Sequence, residues 1–239
     1  MVGIQNAMTA GEIEEIVGPD RTLGCVVELS SEIFTPGRVQ RNTSPAKTWF
    51  GLGALKSAME VRISEVEDLL NQVGVVSRTD DIIAAKWMKL VVNTMCLGPL
   101  AMLGLTLSEA MKVPGVREFV LRAGTEALTV GQARGYKIQP IFGLEEEDIT
   151  DTNRLLETLF DKLAMDIGPR ARDCVLQDHL KGRRSEVELI NGLVSEESAA
   201  IGHIAPVNAV ITSITKRIQS GDLTPHVDNL KLALRELAA

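Results

Sequence analysis

The chain has 239 residues, 45% of them hydrophobic, with 25 basic and 32 acidic side chains for a net charge of −7. That balance excludes a disordered tail, a collagen-like fibre and a disulfide-stapled mini-protein. At about 150 residues per domain the length falls between one and two domains. With only two Trp, one Tyr and five Phe, aliphatic side chains must build the core, which suits packed helices. An acidic chain without a basic run carrying interleaved aromatics lacks the electrostatic footprint of a nucleic-acid binder. Cys25, Cys96 and Cys174 are far apart, with no ligand spacing around them, so no metal site and no disulfide framework are expected. A reducing, cytoplasmic setting fits best. The N-terminus lacks the basic start and long apolar stretch of a signal peptide.

Residues 1–78 read as mixed α/β. Val2 to Gln5 is a short apolar run. Thr9, with Glu12 three residues on, has the pattern of a capping box opening a helix, and Gly18-Pro19-Asp20 ends it. Leu23 to Leu29, Arg38 to Arg41 and Thr48 to Leu52 are strand candidates, with a turn at Pro36-Gly37. Their short connections predict antiparallel pairing among the three. Glu60 to Val73 reads as a helix.

Residues 79–239 carry helical patterns and no strand signal. Asp80 is placed to cap a helix through IIAAKWMKLVVNTM. Further helices are expected over Gly115 to Arg134, Asp151 to Ile167, Asp173 to Leu180, Ser185 to Ile201 and Pro206 to Gln219, with a last one opened by Thr224-Pro225. The uncharged stretch Leu90 to Ser108 is long enough to span a bilayer. Asn93 and an interruption at Gly98-Pro99 favour a buried helix instead.

The only G-x-G, Gly51-Leu52-Gly53, is followed three residues later by Lys56. It lacks the turn and acidic partner of a dinucleotide fingerprint and reads as a strand end. Lys89 and Asn93 are four apart and share a helix face, flanked by Leu90, Val91 and Val92. A lysine beside buried surface is a candidate general acid. The competing account is that Lys89 snorkels to solvent while Asn93 caps a backbone group. Glu186 and Glu188 open a helix behind Arg183 and Arg184, where acidic side chains are routine partners of the helix dipole. His179, His203 and His226 are scattered. Cys174 has no neighbour in sequence that would activate it.

Two segments together resemble the ketopantoate reductase (2-dehydropantoate 2-reductase) family. KWMKLVVNTMCLGPLAMLG, residues 86–104, is similar to its lysine helix with K-L-x-x-N. CVLQDHLKGRRSEVELING, residues 174–192, is similar to its L-Q-D, G-R-x-T-E and I-N-G pattern, and Gly202 to Asn208 to its P-V-N ending. IQNAMTAGEIEEIVGPDRTLGCVVELSSEIFTPGRV resembles the end of the family's dinucleotide-binding domain. The resemblance covers essentially the whole chain.

It implies the C-terminal part of a Rossmann-like domain, with few, partly antiparallel strands and no GxGxxG unit, over residues 1–78. Residues 79–239 would form an all-α substrate and dimerisation domain like the C-terminal domain of 6-phosphogluconate dehydrogenase. It also implies reduction of a 2-oxo acid such as 2-dehydropantoate by NADPH, in pantothenate biosynthesis. Lys89 falls at the catalytic lysine, Asn93 and Glu186 at substrate-binding positions, and Asn6 at a position near nicotinamide and substrate. Cys174 stands where a substrate-binding serine is usual, Ala7 replaces a glycine, and Leu97-Gly98-Pro99 replaces an Asn-Pro pair. The first βαβ units and their phosphate-binding turn have no counterpart in the sequence, which reads as an N-terminally truncated member. The partners implied are a small 2-oxo acid and a second copy in a homodimer, without membrane or nucleic acid. The alternative is a non-catalytic helical dimerisation or interaction module. A catalytic chain would bring Lys89, Asn93 and Glu186 to one cavity; a module has no need to.

Overall fold

The computed structural model describes residues 1–151 and 154–238. A small mixed sheet is followed by helices, and among the described residues no strand lies beyond Arg78. The sheet contains β1 (Val2–Gly3), β2 (Leu23–Glu28), β5 (Trp49–Ala54) and β6 (Val75–Arg78) in the order β1-β2-β5-β6. β1 runs parallel to β2, β2 antiparallel to β5, and β5 parallel to β6. β3 (Ser31–Thr35) and β4 (Arg38–Arg41) form a separate hairpin. The expected antiparallel trio therefore holds for β2 and β5 only. Arg38–Arg41 pairs with a strand its sequence does not signal, because the turn at Pro36-Gly37, with Gly37 at φ +77°, folds it back on its immediate neighbour. β6 was also unsignalled; it lies just beyond α2 (Ile63–Leu70), which is shorter than the expected Glu60–Val73 helix.

α1 (Ala10–Val17) lies between β1 and β2. Its capping box does not form: Thr9 has helical φ and ψ and makes no side-chain cap, so its hydroxyl is turned away from the free amides it would serve. Gly18, at φ +102°, ends the helix as expected.

α3 (Ile82–Leu103) is the central element, apolar nearly all round and buried along most of its length. Its cap is Asp81, not Asp80: the Asp81 carboxylate accepts from the Ala84 amide at 2.9 Å, a contact worth about 1 kcal/mol. The two glycines of β2 and β5 explain how α3 sits down on the sheet. A Cβ on Gly24 would lie 2.6 Å from Ile82, and one on Gly53 would lie 2.9 Å from it. The Gly-x-Gly strand thus makes room for a helix rather than for a phosphate.

The expected break at Gly98-Pro99 does not occur; α3 runs through Pro99. A proline inside a helix costs about 3 kcal/mol, and burial of almost every α3 side chain offsets it. Gly98 packs where a Cβ would lie 2.4 Å from Asn191 Oδ1. No described helix is long and apolar enough to cross a membrane.

α4 (Leu107–Ala110), α5 (Val116–Ala133), α6 (Leu155–Asp166), α7 (Cys174–Leu180), α8 (Leu193–Ala200), α9 (Pro206–Gln219) and α10 (Asn229–Glu236) surround α3. Part of the first turn expected of the Asp151 helix, residues 152 and 153, lies outside the described residues. The helix expected from Ser185 begins with a π-helical stretch, Glu188–Gly192, before α8. The last helix starts at Asn229, not at Thr224-Pro225. Asn191 and Asn208, from the I-N-G and P-V-N segments, are structural ties. Asn191 Nδ2 donates to Thr94 O at 3.1 Å and to Asn208 Oδ1 at 2.9 Å, and Asn208 Nδ2 donates to Ala123 O at 3.0 Å.

Candidate active site

The end of β2, the face of α3 and the first turn of α7 meet around a cavity of about 160 Å³. α3 presents Lys89 and Asn93 to it one turn apart, then Leu97 and Leu100. β2 contributes Glu28, the turn after β1 contributes Asn6, and α7 contributes Asp173 and Cys174. Sequence spacing put Lys89 and Asn93 together; the fold adds the rest.

A chain of hydrogen bonds links the polar groups. Asn93 Nδ2 donates to Asn6 Oδ1 at 3.2 Å, and Asn6 Nδ2 donates to Glu186 Oε1 at 3.0 Å. The Cys174 thiol donates to the same Glu186 oxygen at 2.9 Å. Burial, then the charge of Glu186, pushes this thiol well above its ordinary range, so Cys174 acts as a neutral donor and not as a thiolate. Lys89, Asn93, Glu186, Cys174 and Asn6 are thus gathered in one place. Lys89 neither snorkels to solvent nor stands alone, because its ammonium donates to the Glu28 carboxylate and lies 4.9 Å from the centre of the Phe142 ring.

Two further groups at this site carry no motif in the sequence. Glu28, 5% exposed, is the ion-pair partner of Lys89; an acidic residue closing the apolar run LGCVVEL was the available signal. Asp173 caps α7, with Oδ1 accepting from the Leu176 amide at 2.8 Å. Its other oxygen is buried without a partner. Burial raises this carboxyl to about 8, against the lowering effect of its backbone hydrogen bonds. One turn before Lys89, Lys86 donates to Gln5 O at 2.9 Å, and burial brings it down to about 8. The π-helical Glu188 pairs instead with Arg184 and Lys216 at the surface. His179 is half-buried, and burial lowers its imidazole below the ordinary range, while His203 and His226 lie on the surface. Among the described residues no His, Cys, Asp and Glu cluster could hold a metal ion.

A lysine and polar amides facing an apolar cavity, between a mixed α/β sheet and a helical bundle, are the arrangement of a small-molecule site rather than of a surface for macromolecules. Residues 81–219 match the family described as ketopantoate reductase PanE/ApbA C terminal, and the chain belongs to that family. It is 24% identical over 227 residues to a 2-dehydropantoate 2-reductase of Pyrococcus horikoshii, covering 92% of this chain and 67% of that one. Its fold is similar to that of a PanE/ApbA family ketopantoate reductase from Ralstonia eutropha, with a TM-score of 0.72, 20% identity and 92% of this chain against 66% of that one. It is also similar to a D-mandelate dehydrogenase in complex with NADH and anilino(oxo)acetate, with a TM-score of 0.78, 18% identity and 92% against 67% coverage. The chain therefore spans about two thirds of the length of these relatives.

Proposed function

We propose that this chain carries the substrate side of an NADPH-dependent oxidoreductase that reduces a 2-oxo acid, such as 2-dehydropantoate, to the 2-hydroxy acid. The observation that carries this reading is the convergence of Lys89, Asn93, Asn6 and Cys174 at one cavity, with Glu186 behind them hydrogen-bonded to Asn6 and Cys174. The alternative, a non-catalytic dimerisation or interaction module, gives no account of that convergence. In this reading residues 1–78 are the partial dinucleotide-binding domain and residues 79–239 the substrate and dimerisation domain of a homodimer. Three unpaired cysteines agree with a cytoplasmic setting.

The chemistry assigned to the chain's own residues is positioning and proton transfer. Lys89 donates to the substrate's oxo oxygen and stabilises the negative charge that develops there, finally giving up a proton. Asn93 and Asn6 orient the oxo acid beside it, and Glu186 holds Asn6 and Cys174 in place. A reduced nicotinamide supplies hydride when bound. By the family resemblance Asn6 would lie near it. The described residues offer no glycine turn for its pyrophosphate, because Gly51 and Gly53 are filled by Trp49 and Ile82 contacts within the sheet.

The test is NADPH consumption by the purified chain with a panel of 2-oxo acids, beside the Lys89→Met variant. Slow, 2-oxo-acid-dependent consumption that the substitution cuts by about 10²-fold or more is expected. Consumption indifferent to Lys89, or no interaction with any 2-oxo acid, overturns the reading. Titration of NADPH fluorescence measures the cofactor side separately. Weak binding is expected there, because the described residues offer no pyrophosphate cradle, and tight sub-micromolar binding, on the affinity scale where about 8 kcal/mol corresponds to micromolar, would contradict that expectation.

A further inference from the structure

Most of the hydrogen-bonding groups along the cavity wall are already engaged. The Asn6 amide donates to Glu186 and accepts from Asn93, and the Cys174 thiol donates to Glu186. Gln177 donates to the carbonyls of Ser31 and Arg172 and accepts from Lys181. Asp173 caps α7 with one oxygen, and its other oxygen is sealed from open space. Arg172 rests its guanidinium on the exposed Phe34, 4.9 Å from the ring centre, beside Glu32.

Glu28 differs from these. The Lys89 ammonium donates to its Oε2. Its Oε1 is neither bonded nor sealed: no described residue donates to it, and it keeps accessible surface although Glu28 as a whole is 5% exposed. The open space against Glu28 is the cavity, so Oε1 is a charged acceptor facing into it. Glu186, by contrast, is outside the cavity lining. It stands behind Asn6 and Cys174, and its Oε1 is taken by both.

We propose that Glu28, and not Glu186, is the residue that accepts a hydrogen bond from a hydroxyl on the substrate's side chain, through Oε1. This rests on the 2-oxo acid reading and reassigns within it a contact that the family resemblance would give to Glu186. Lys89 takes the oxo oxygen and Glu28 the hydroxyl. The two oxygens of the Glu28 carboxylate share one carbon, so groups held by Lys89 and by Oε1 lie side by side. A hydroxyl on the fourth carbon of a 2-oxo acid lies beside the oxo oxygen in the same way. The acid group itself is directed elsewhere, because two carboxylates repel at contact. A hydroxyl bonded to an ionised acceptor is held more strongly than one bonded to a neutral amide, so the contact selects for ligands that carry the hydroxyl.

The experiment measures two affinities on the full chain, with and without NADPH, by calorimetry or ligand-observed NMR. The ligands are 2-dehydropantoate and 3,3-dimethyl-2-oxobutanoate, which differ by that hydroxyl alone. The wild-type chain is expected to bind the hydroxylated acid at least about tenfold more tightly. In Glu28→Gln, which puts a neutral amide in place of the charged acceptor, the ratio should fall to about threefold or less. In Glu186→Gln it should keep its wild-type value even where both affinities drop, since a loss of support for Asn6 and Cys174 moves the two ligands alike. A ratio that survives Glu28→Gln, or that Glu186→Gln abolishes, overturns the proposal. If Glu28→Gln fails to fold, Glu186→Gln decides alone by the same criterion. A wild-type ratio near one overturns the proposal and leaves the 2-oxo acid reading standing. Binding of neither acid overturns that reading and the proposal with it.

Discussion

Lys89 on α3 and Glu28 at the end of β2 form an ion pair across the boundary between the helical bundle and the sheet, with side chains only 12% and 7% exposed. The pair couples two elements 61 positions apart in sequence and fixes the ammonium at the cavity wall. Two charges so far out of water are tolerable only together. The Coulomb attraction and the hydrogen bond roughly balance the desolvation of both ions, whereas either ion alone is strongly unfavourable.

Glu28→Gln is therefore expected to cost about 3–5 kcal/mol by leaving a buried ammonium without its counter-charge. Lys89→Met strands the carboxylate and should cost a similar amount. The double variant, with neither charge, should be clearly more stable than the sum of the two losses implies. Urea unfolding of the four proteins checks this. Additive losses would mean that the two groups do not interact.

Asp173 predicts a dependence of stability on pH. Its carboxyl titrates at about 8 in the folded chain against an ordinary value of 3.8, so the fold favours the protonated form. The folded state binds the extra proton between those values, and stability falls as pH rises through that window. Asp173→Asn keeps a side-chain oxygen to cap α7, since asparagine is as good an N-cap as aspartate, and removes the titration. Near pH 4 the two proteins should be close in stability. By pH 8 the variant should be ahead by at least about 1.4 kcal/mol, the free energy of one pH unit of protonation preference. Denaturant unfolding across that range reads the difference, and parallel curves for the two proteins would refute the assignment.

Which parts of this were legible in the sequence follows from the range of the interactions involved. Lys89 and Asn93 were found because their relationship is local: four residues on a helix are one turn. The α9 boundaries, Pro206 to Gln219, were local in the same way, since proline at the first helical position marks the start. The link from Glu186 to Cys174 runs over α7 and the irregular residues 181–186 behind it, and only the family resemblance joins them. Glu28 is not legible in the sequence because an acidic residue at a strand end carries no signal until the helix that pairs with it is in place. Ser31–Thr35 and Val75–Arg78 escaped because both are short and half-exposed, and their strand character comes from partners rather than from alternation. The error at Pro99 has the same origin: local propensity is outweighed when nearly every side chain of a helix is buried.

Ala7 carries the final prediction. It has φ +64°, the left-handed region that an L-residue with a Cβ enters at a cost of about 1–2 kcal/mol, and it stands where the family resemblance places a glycine. It directly follows Asn6, whose amide bridges Asn93 and Glu186, so the strained turn aims a residue of the site. Ala7 is 5% exposed and belongs to the same core cluster as Trp87 and Leu90 of α3. Ala7→Gly relieves the strain, gives up one methyl contact and adds flexibility to the unfolded chain. The net expectation is a gain of about 0.5–1 kcal/mol, or a rise in Tm of roughly 1–4 °C for a chain of this size. Ala7→Val, β-branched at the same φ, should lose at least about 1 kcal/mol. Thermal unfolding of the three proteins measures both changes. A destabilised glycine variant would mean that the methyl packing against α3, and not the backbone strain, dominates at this turn.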